Sequence, residues 1–358
     1  MNIFIRTDAS VEIGAGHVMR CLVLAEDLRK RNVNVSFVCR NFPGHLFDFI
    51  EEKGFAVFRL PAPENETSPD NHLDWVEGNW KTDVHQTIEL LRTQSNIDWF
   101  IIDHYAIDEK WENTIRPFVN KIMVIDDLAN RYHDCDLLLD QNLYRNMEER
   151  YIKLIPKHAT ALLGIKYLLL RQEFRDLKDI KERSGIVKRI LVSFGGSDPT
   201  NETMKTLKTL DTVNRPDITV DVVVGFSNQN YSSIKQFCDK KSYIILHCQI
   251  NYLAELMAKA DLAIGAGGST TWERCYVGLP TMTIETAENQ SEILSYLSEL
   301  GVVCHLGYSK VVTEEDIANN LQNAINSPIM IKKMIGASKC IMKDFEDCSV
   351  VKHLIKGE

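Results

Sequence analysis

The sequence predicts an α/β protein of two doubly wound domains with a cleft between them. Three observations carry this. Short apolar, β-branched runs alternate with helix-like segments along the whole chain, the grammar of a parallel sheet covered on both faces. The alternation occurs twice, and 358 residues suffice for two domains of ordinary size. Glycine-rich loops follow several of the runs, where ligands of such sheets bind.

In the first half, Ile3–Arg6 reads as a strand. Further runs follow at Asn34–Arg40, Phe55–Leu60, Trp99–Tyr105, Lys121–Asp127 and Asp136–Asp140. Helical segments are expected at His17–Arg31, Gly44–Lys53, Trp80–Gln94 and Asp108–Phe118, with polar Pro61–Asn79 as a loop. In the second half, strands are expected at Arg189–Phe194, Thr219–Gly225, Tyr243–Cys248, Asp261–Gly265 and Pro280–Ile284. Its helices are expected at Asn201–Leu210, Gln229–Asp239, Tyr252–Lys259, Ser269–Val277 and Gln290–Gly301. Charged Asp176–Lys188, with Ser184-Gly185, reads as an interdomain linker. Domains at 1–175 and 189–345 and a tail at 346–358 follow.

Composition narrows the function classes. Hydrophobic content of 44% and charged content of 25% are those of a soluble globular protein. A net charge of −9 argues against nucleic-acid or membrane-surface partners, which need a basic face. No apolar stretch reaches membrane-spanning length, and the N-terminus does not read as a signal peptide. The nine cysteines are scattered without a C-x-x-C, so neither a zinc site nor a disulfide framework is expected. Reduced thiols and a cytoplasmic location fit best. No obligate protein partner is evident.

The most informative segment is the first strand with its loop, ending Gly14-Ala-Gly16-His17-Val-Met-Arg20. Gly14 and Gly16 let the backbone turn tightly and approach a ligand. The helix that starts there offers free N–H groups to an anion. His17 stands at that point as a candidate base, or as a helix cap. Arg6 and Asp8 flank the loop; Asp8 is placed to orient His17 or to cap the loop. Met19 occupies the third glycine position of G-x-G-x-x-G, so no dinucleotide cofactor is expected.

Two loops of the second half lie at equivalent strand ends. Gly195-Gly196-Ser197-Asp198-Pro199 reads as an anion-binding turn or a plain strand–helix turn. Gly267-Gly268-Ser269-Thr270-Thr271-Trp272-Glu273 puts three hydroxyls before a carboxylate suited to a ribose diol, unless Glu273 is only a surface residue. Asn289 and Gln290 open the next helix as sugar-reading amides or caps. P-loop and G-x-S-x-G signatures are missing. Asp134-Cys-Asp136 mimics a metal-binding Asp-x-Asp, but Asp136 leads straight into a strand, so no metal is assigned.

Taken together, several motifs carry a resemblance. They are Arg6-Thr-Asp-x-Ser with Ile13-Gly-x-Gly-His-Val-Met-Arg-Cys-Leu22, Asp140-Gln-Asn142, Tyr167-Leu-Leu-Leu-Arg171-Gln-Glu-Phe174, Ser193-Phe-Gly-Gly-Ser-Asp-Pro-Thr-Asn201, Gly267-Gly-Ser-Thr-Thr-Trp-Glu-Arg-Cys275 and Glu288-Asn-Gln290. From Met1 to about Lys343 the chain resembles the pseudaminic acid biosynthesis sugar-nucleotide hydrolase family, related to MurG-type glycosyltransferases. The resemblance implies the GT-B fold, two Rossmann-like domains facing across a cleft. It implies hydrolysis of UDP-2,4-diacetamido-2,4,6-trideoxy-β-L-altropyranose to free sugar and UDP, with inversion and without cofactor or metal. His17 would activate the water, while Gly195, Gly196, Ser197, Gly268, Ser269 and Thr270 would hold UDP and Glu273 its ribose. Arg171, Asn289 and Gln290 would contact substrate. The spore-coat polysaccharide glycosyltransferases share the N-terminal motif and leave an inverting transferase as the alternative.

Overall fold

Every run expected as a strand forms one, and each joins a parallel sheet. The computed structural model describes residues 1–63, 72–94, 96–178, 180, 182–225 and 228–356. The chain divides into two units, Met1–Leu169 with Phe345–Glu358, and Leu170–Asp344.

The first unit contains β1 (Asn2–Thr7), α1 (Gly16–Arg29), β2 (Asn34–Arg40), α2 (Phe47–Glu52), β3 (Ala56–Leu60), α3 (His72–Gly78) and α4 (Trp80–Leu91). It continues with β4 (Trp99–Asp103), α5 (Glu109–Ile115), β5 (Lys121–Ile125), β6 (Leu137–Asp140) and β7 (Thr160–Leu163). Its strand order is β3-β2-β1-β4-β5-β6-β7, so the order reverses between β1 and β4, beside the His17 loop. Strand alternation feeds both faces. Ile3, Ile5, Trp99 and Ile101 join the core under α1. Phe4, Phe100 and Ile102 pack with Val84 and Ile88 of α4 and Trp111 of α5.

The second unit contains α6 (Gln172–Arg175), β8 (Arg189–Ser193), α7 (Glu202–Val213), β9 (Thr219–Val224), α8 (Tyr231–Cys238), β10 (Ile244–Cys248) and α9 (Leu253–Lys259). There follow β11 (Leu262–Ala266), α10 (Thr270–Tyr276), β12 (Thr281–Glu285), α11 (Ser291–Glu299), β13 (Val303–Tyr308), α12 (Glu314–Asn326) and α13 (Pro328–Ile341). The order β10-β9-β8-β11-β12-β13 reverses between β8 and β11, which places the two glycine loops side by side. The last helix, α14 (Ser349–Lys356), belongs to the first unit, where Val350, Val351 and Leu354 enter the core under α1.

Four expectations change. The polar segment at 61–79 is not all loop: its end forms α3, while 64–71 lie outside the described residues. The unit boundary falls after Leu169, not after residue 175. Residues 176–188 are not a free linker. Arg183 is buried and donates to the carbonyls of Met257 at 2.7 Å, Ala260 at 2.8 Å and Val277 at 2.6 Å, and Val187 joins the second core. Burial, only partly offset by the charge of Asp261, pushes Arg183 down to about 10. Asp179 and Lys181 of that segment lie outside the described residues. Finally, β7, α6, β13 and the helices α12 to α14 lie outside the expected elements, although the capping box Thr313-Glu-Glu-Asp316 marks the start of α12.

The nine cysteines are unpaired. No described helix is long and apolar enough to cross a membrane.

Candidate active site

The β1 loop ends in a turn that Gly14 makes with φ of +77°, its N–H bonded to the Ser10 carbonyl at 2.9 Å. Gly16 begins α1 and needs no positive φ, although a Cβ at either glycine would meet open space. His17, only 7% exposed, follows in the first turn of α1.

His17 Nδ1 lies 2.5 Å from Asp103 Oδ1 at the end of β4. Arg20, one turn further along α1, donates to both oxygens of Asp103, from Nε at 2.6 Å and Nη2 at 2.7 Å. Its Nη1 donates to Asp127 at 2.9 Å. Tyr105 donates to the other Asp127 oxygen at 2.7 Å and sets its ring edge-on to His17, centroids 4.4 Å apart. Burial alone raises a carboxyl pKa, but the Arg20 guanidinium and the imidazole hold Asp103 well below the carboxylate range. An ionised Asp103 accepts only, so His17 carries its proton on Nδ1. Among the described residues Nε2 has no partner, and it is the ring's acceptor.

Arg6 and Asp8, expected at the substrate, lie elsewhere. Both are fully buried. Arg6 pairs with Asp8 at 2.6 Å and with Asp83 of α4 at 2.9 Å. Asp83 also takes Arg40 at 2.7 Å and the Trp111 indole at 2.9 Å. Asp8 accepts the Arg40 amide at 2.7 Å and faces His104 Nε2 at 3.2 Å. The reason is strand alternation. Arg6 and Asp8 follow Phe4 onto the α4 face, whereas Asp103 follows Trp99 and Ile101 onto the α1 face that carries His17. The carboxylate that orients His17 is therefore Asp103, not Asp8.

Asp103 and Tyr105 are not among the residues the sequence singles out, whereas Arg20 reads there as a residue flanking the loop and Asp127 as a strand-end turn or a pocket wall. The available signal was the polar run Asp103-His104-Tyr105 ending an otherwise apolar strand. Beyond β6, Asp140 accepts the Asn142 amide at 3.0 Å and the Tyr151 hydroxyl at 3.1 Å. Burial, reinforced by the Asp127 charge, raises Asp140 to about 7. The Asp-x-Asp look-alike is spoken for, since Arg116 donates to Asp134 and to Asp136 at 2.7 Å each.

In the second unit, Gly195 takes φ of +88° and Gly196 closes on Gly225, whose amide donates to the Gly196 carbonyl at 3.0 Å. Here the helix N-terminus is not open. Asp198 accepts the Glu202 amide at 3.0 Å and the Thr203 amide at 2.9 Å, so it caps α7 itself. Any anion held by this loop must use the segment 195–197 before Asp198.

The second loop packs tightly: a Cβ at Gly267 would sit 2.4 Å from Leu294 Cδ1. Gly268 faces open space, and Ser269 is exposed ahead of α10, with Thr270 half-buried. Glu273 and Arg171 come together as a two-pronged pair, Arg171 Nε at 2.5 Å and Nη2 at 2.8 Å from the carboxylate. Glu273 thus meets any ribose with both oxygens already on Arg171. Gln290 is structural: its amide oxygen accepts the Gly267 N–H at 3.2 Å and the Thr286 N–H at 3.0 Å, tying two loops together. Asn289, next to it, is exposed.

Residues 190–347 match the glycosyltransferase family 28 C-terminal domain. An uncharacterized protein of Methanocaldococcus jannaschii is 31% identical over 82% of the chain, which spans only 57% of that relative. The UDP-2,4-diacetamido-2,4,6-trideoxy-beta-L-altropyranose hydrolase of Campylobacter jejuni is 26% identical, covering 84% of this chain and 97% of its own. The spore coat polysaccharide biosynthesis protein SpsG of Bacillus subtilis is 23% identical over 91% and 90% of the two chains. Among solved structures, MurG of Acinetobacter baumannii superposes over 100% of this chain and 99% of its own, with a TM-score of 0.63 at 12% identity. UGT89C1 of Arabidopsis thaliana, complexed with UDP, covers 99% and 98% with a TM-score of 0.71 at 11% identity. These likenesses make the fold GT-B.

Proposed function

We propose that the chain, which has the GT-B fold of MurG and matches the glycosyltransferase family 28 C-terminal domain over residues 190–347, hydrolyses a UDP-sugar, releasing UDP and the free sugar. The observation that carries this is the His17–Asp103 contact of 2.5 Å, which presents an unprotonated Nε2 at the end of β1. His17 takes a proton from water as that water attacks the anomeric carbon. The bond from the anomeric carbon to the diphosphate oxygen breaks, UDP departs with the electron pair, and the configuration inverts. Segment 195–197 with Gly268, Ser269 and Thr270 holds the diphosphate by backbone N–H and hydroxyl groups. The Arg171–Glu273 pair holds the ribose, and exposed Asn289 reads the sugar.

The Campylobacter hydrolase, similar over nearly its whole length, supports UDP-2,4-diacetamido-2,4,6-trideoxy-β-L-altropyranose as the substrate. The family 28 domain and the SpsG likeness favour a second reading, in which the same base deprotonates a sugar hydroxyl and the chain is an inverting transferase.

Incubation with that UDP-sugar in ¹⁸O-water, without acceptor, separates the readings. UDP release with label in the sugar is the expected result. Label in UDP means attack at phosphorus and removes His17 from its role. Release only after an acceptor is added makes the chain a transferase. His17→Ala should lose about 10²–10⁴-fold in turnover, the value of a placed general base, while still binding UDP.

A further inference from the structure

We propose that Arg20 is the positioning residue that keeps the His17–Asp103 pair as neutral imidazole and ionised carboxylate, with Nε2 bare. The inference deepens the hydrolytic reading and rests on it for its kinetic measurement alone.

His17 and Arg20 are three residues apart on α1 and so share one face of the helix. From that face both reach Asp103. Arg20 takes both carboxylate oxygens in a fork, which a lysine cannot do. The third guanidinium nitrogen is anchored on Asp127, Asp127 is anchored on Tyr105, and Tyr105 returns to the His17 ring. The contacts thus close a circuit: His17, Asp103, Arg20, Asp127, Tyr105, His17. Rotating the imidazole means breaking into that circuit. The α1 helix and the ends of β4 and β5 supply every member.

The charges explain what the circuit does. A buried carboxylate beside an imidazole favours the imidazolium, which already holds the proton that a base must accept. Arg20 supplies the balancing charge instead. Its Nη2 also lies 3.3 Å from His17 Nδ1, where it disfavours a second cation. The groups facing His17 are Asp103 and Tyr105 from the β4 end, Arg20 and Cys21 from α1, and Asp127 behind Arg20. Cys21 gives its thiol to Asp103 at 3.4 Å, and burial, with Asp103 beside it, raises its pKa, so it brings no charge. Tyr105 is raised by burial and by Asp127 and also stays neutral. Arg20 is the one cation in the circuit.

The test uses the full chain labelled with ¹⁵N-histidine. Long-range ¹H–¹⁵N spectra between about pH 5 and 9 report which ring nitrogen of His17 holds a proton. In the wild type the Nδ1–H form is expected near neutral pH. In Arg20→Gln the imidazolium should persist there, and the acid limb of the UDP-release profile should move up by about one pH unit or more, as opposite-charge neighbours do. Turnover near pH 7 should fall about tenfold or more, while UDP affinity stays within about twofold. Arg20→Lys should return the limb most of the way, by restoring charge, and leave turnover low, because the fork is lost. A folded Arg20→Gln protein with the wild-type tautomer and pH limb overturns the assignment. If Arg20→Gln does not fold, Arg20→Lys decides: a folded Arg20→Lys protein with wild-type turnover refutes the role of the fork on Asp103. If the wild type releases no UDP, the hydrolytic reading fails while the spectra still judge Arg20.

Discussion

A histidine in the first turn of a helix is a base only if something fixes its ring and leaves one nitrogen bare. Asp103 does this for His17 from 86 positions away along the chain. Asp103→Asn keeps the shape and offers an amide to Nδ1, which stabilises the wrong tautomer. We expect a loss of about 10²–10⁴-fold in kcat with UDP affinity retained; a kcat within a few-fold of wild type would remove Asp103 from the site. Asp140 makes a second residue-level case. Its carboxyl, ordinarily near 3.8, is raised to about 7 by burial and by Asp127. The folded state then binds a proton that the unfolded state has released. Stability from this group is full below about pH 4 and is lost as pH rises through 7, by at most about 4 kcal/mol. Asp140→Asn should match the wild type in urea midpoint near pH 4 and exceed it near pH 8. Parallel midpoints across that range would rule out a raised Asp140.

At the scale of elements, the loops depend on close approach. Gly225, at the end of β9, has its Cα so near the β8–α7 loop that an added Cβ would lie 2.6 Å from Gly196 Cα and carbonyl oxygen. Backbone cannot rotate out of the way as a side chain can, so Gly225→Ala must displace the segment 195–197. Overpacking of this kind costs about 1–3 kcal/mol. If those residues hold the diphosphate, UDP binding should weaken about tenfold or more by calorimetry. Unchanged affinity in the folded variant would show that the diphosphate sits elsewhere. The paired glycines were legible as a tight turn after a strand. What was not legible is that Asp198 spends the α7 N-terminus on its own carboxylate.

At the scale of the whole molecule, the chain returns to its first unit after completing the second. The C-terminal helix buries Val350, Val351 and Leu354 beside α1, and the Trp99 indole donates to the Leu354 carbonyl at 3.1 Å. Three such side chains are worth about 5 kcal/mol of burial. Truncation after Asp344 should therefore lower the melting transition of the first unit and spare the second. An unchanged profile would mean that the helix contributes nothing. The buried network of Arg6, Asp8, Arg40, Asp83 and His104 adds a constraint at this scale. It joins β1, β2, α4 and the β4 end without exposing a charge, and losing one partner strands another in the core.

Local pattern was enough for most of the elements: apolar runs alternating with amphipathic segments, and glycines at their ends, place most of the strands and put His17 at the end of its loop. These features are local because side-chain period and backbone freedom act over a few residues. The partners were set only by tertiary structure. Asp8 sits nine positions from His17 and still points to the far face of the sheet. Asp103 points to the near face because β1 and β4 are neighbours in register, Thr7 beside Asp103. The Arg171–Glu273 pair and the loop-tying role of Gln290 likewise join positions that no local pattern relates. Which charge meets which in a sheet follows from strand order and the alternation of faces, and strand order is a property of the assembled fold.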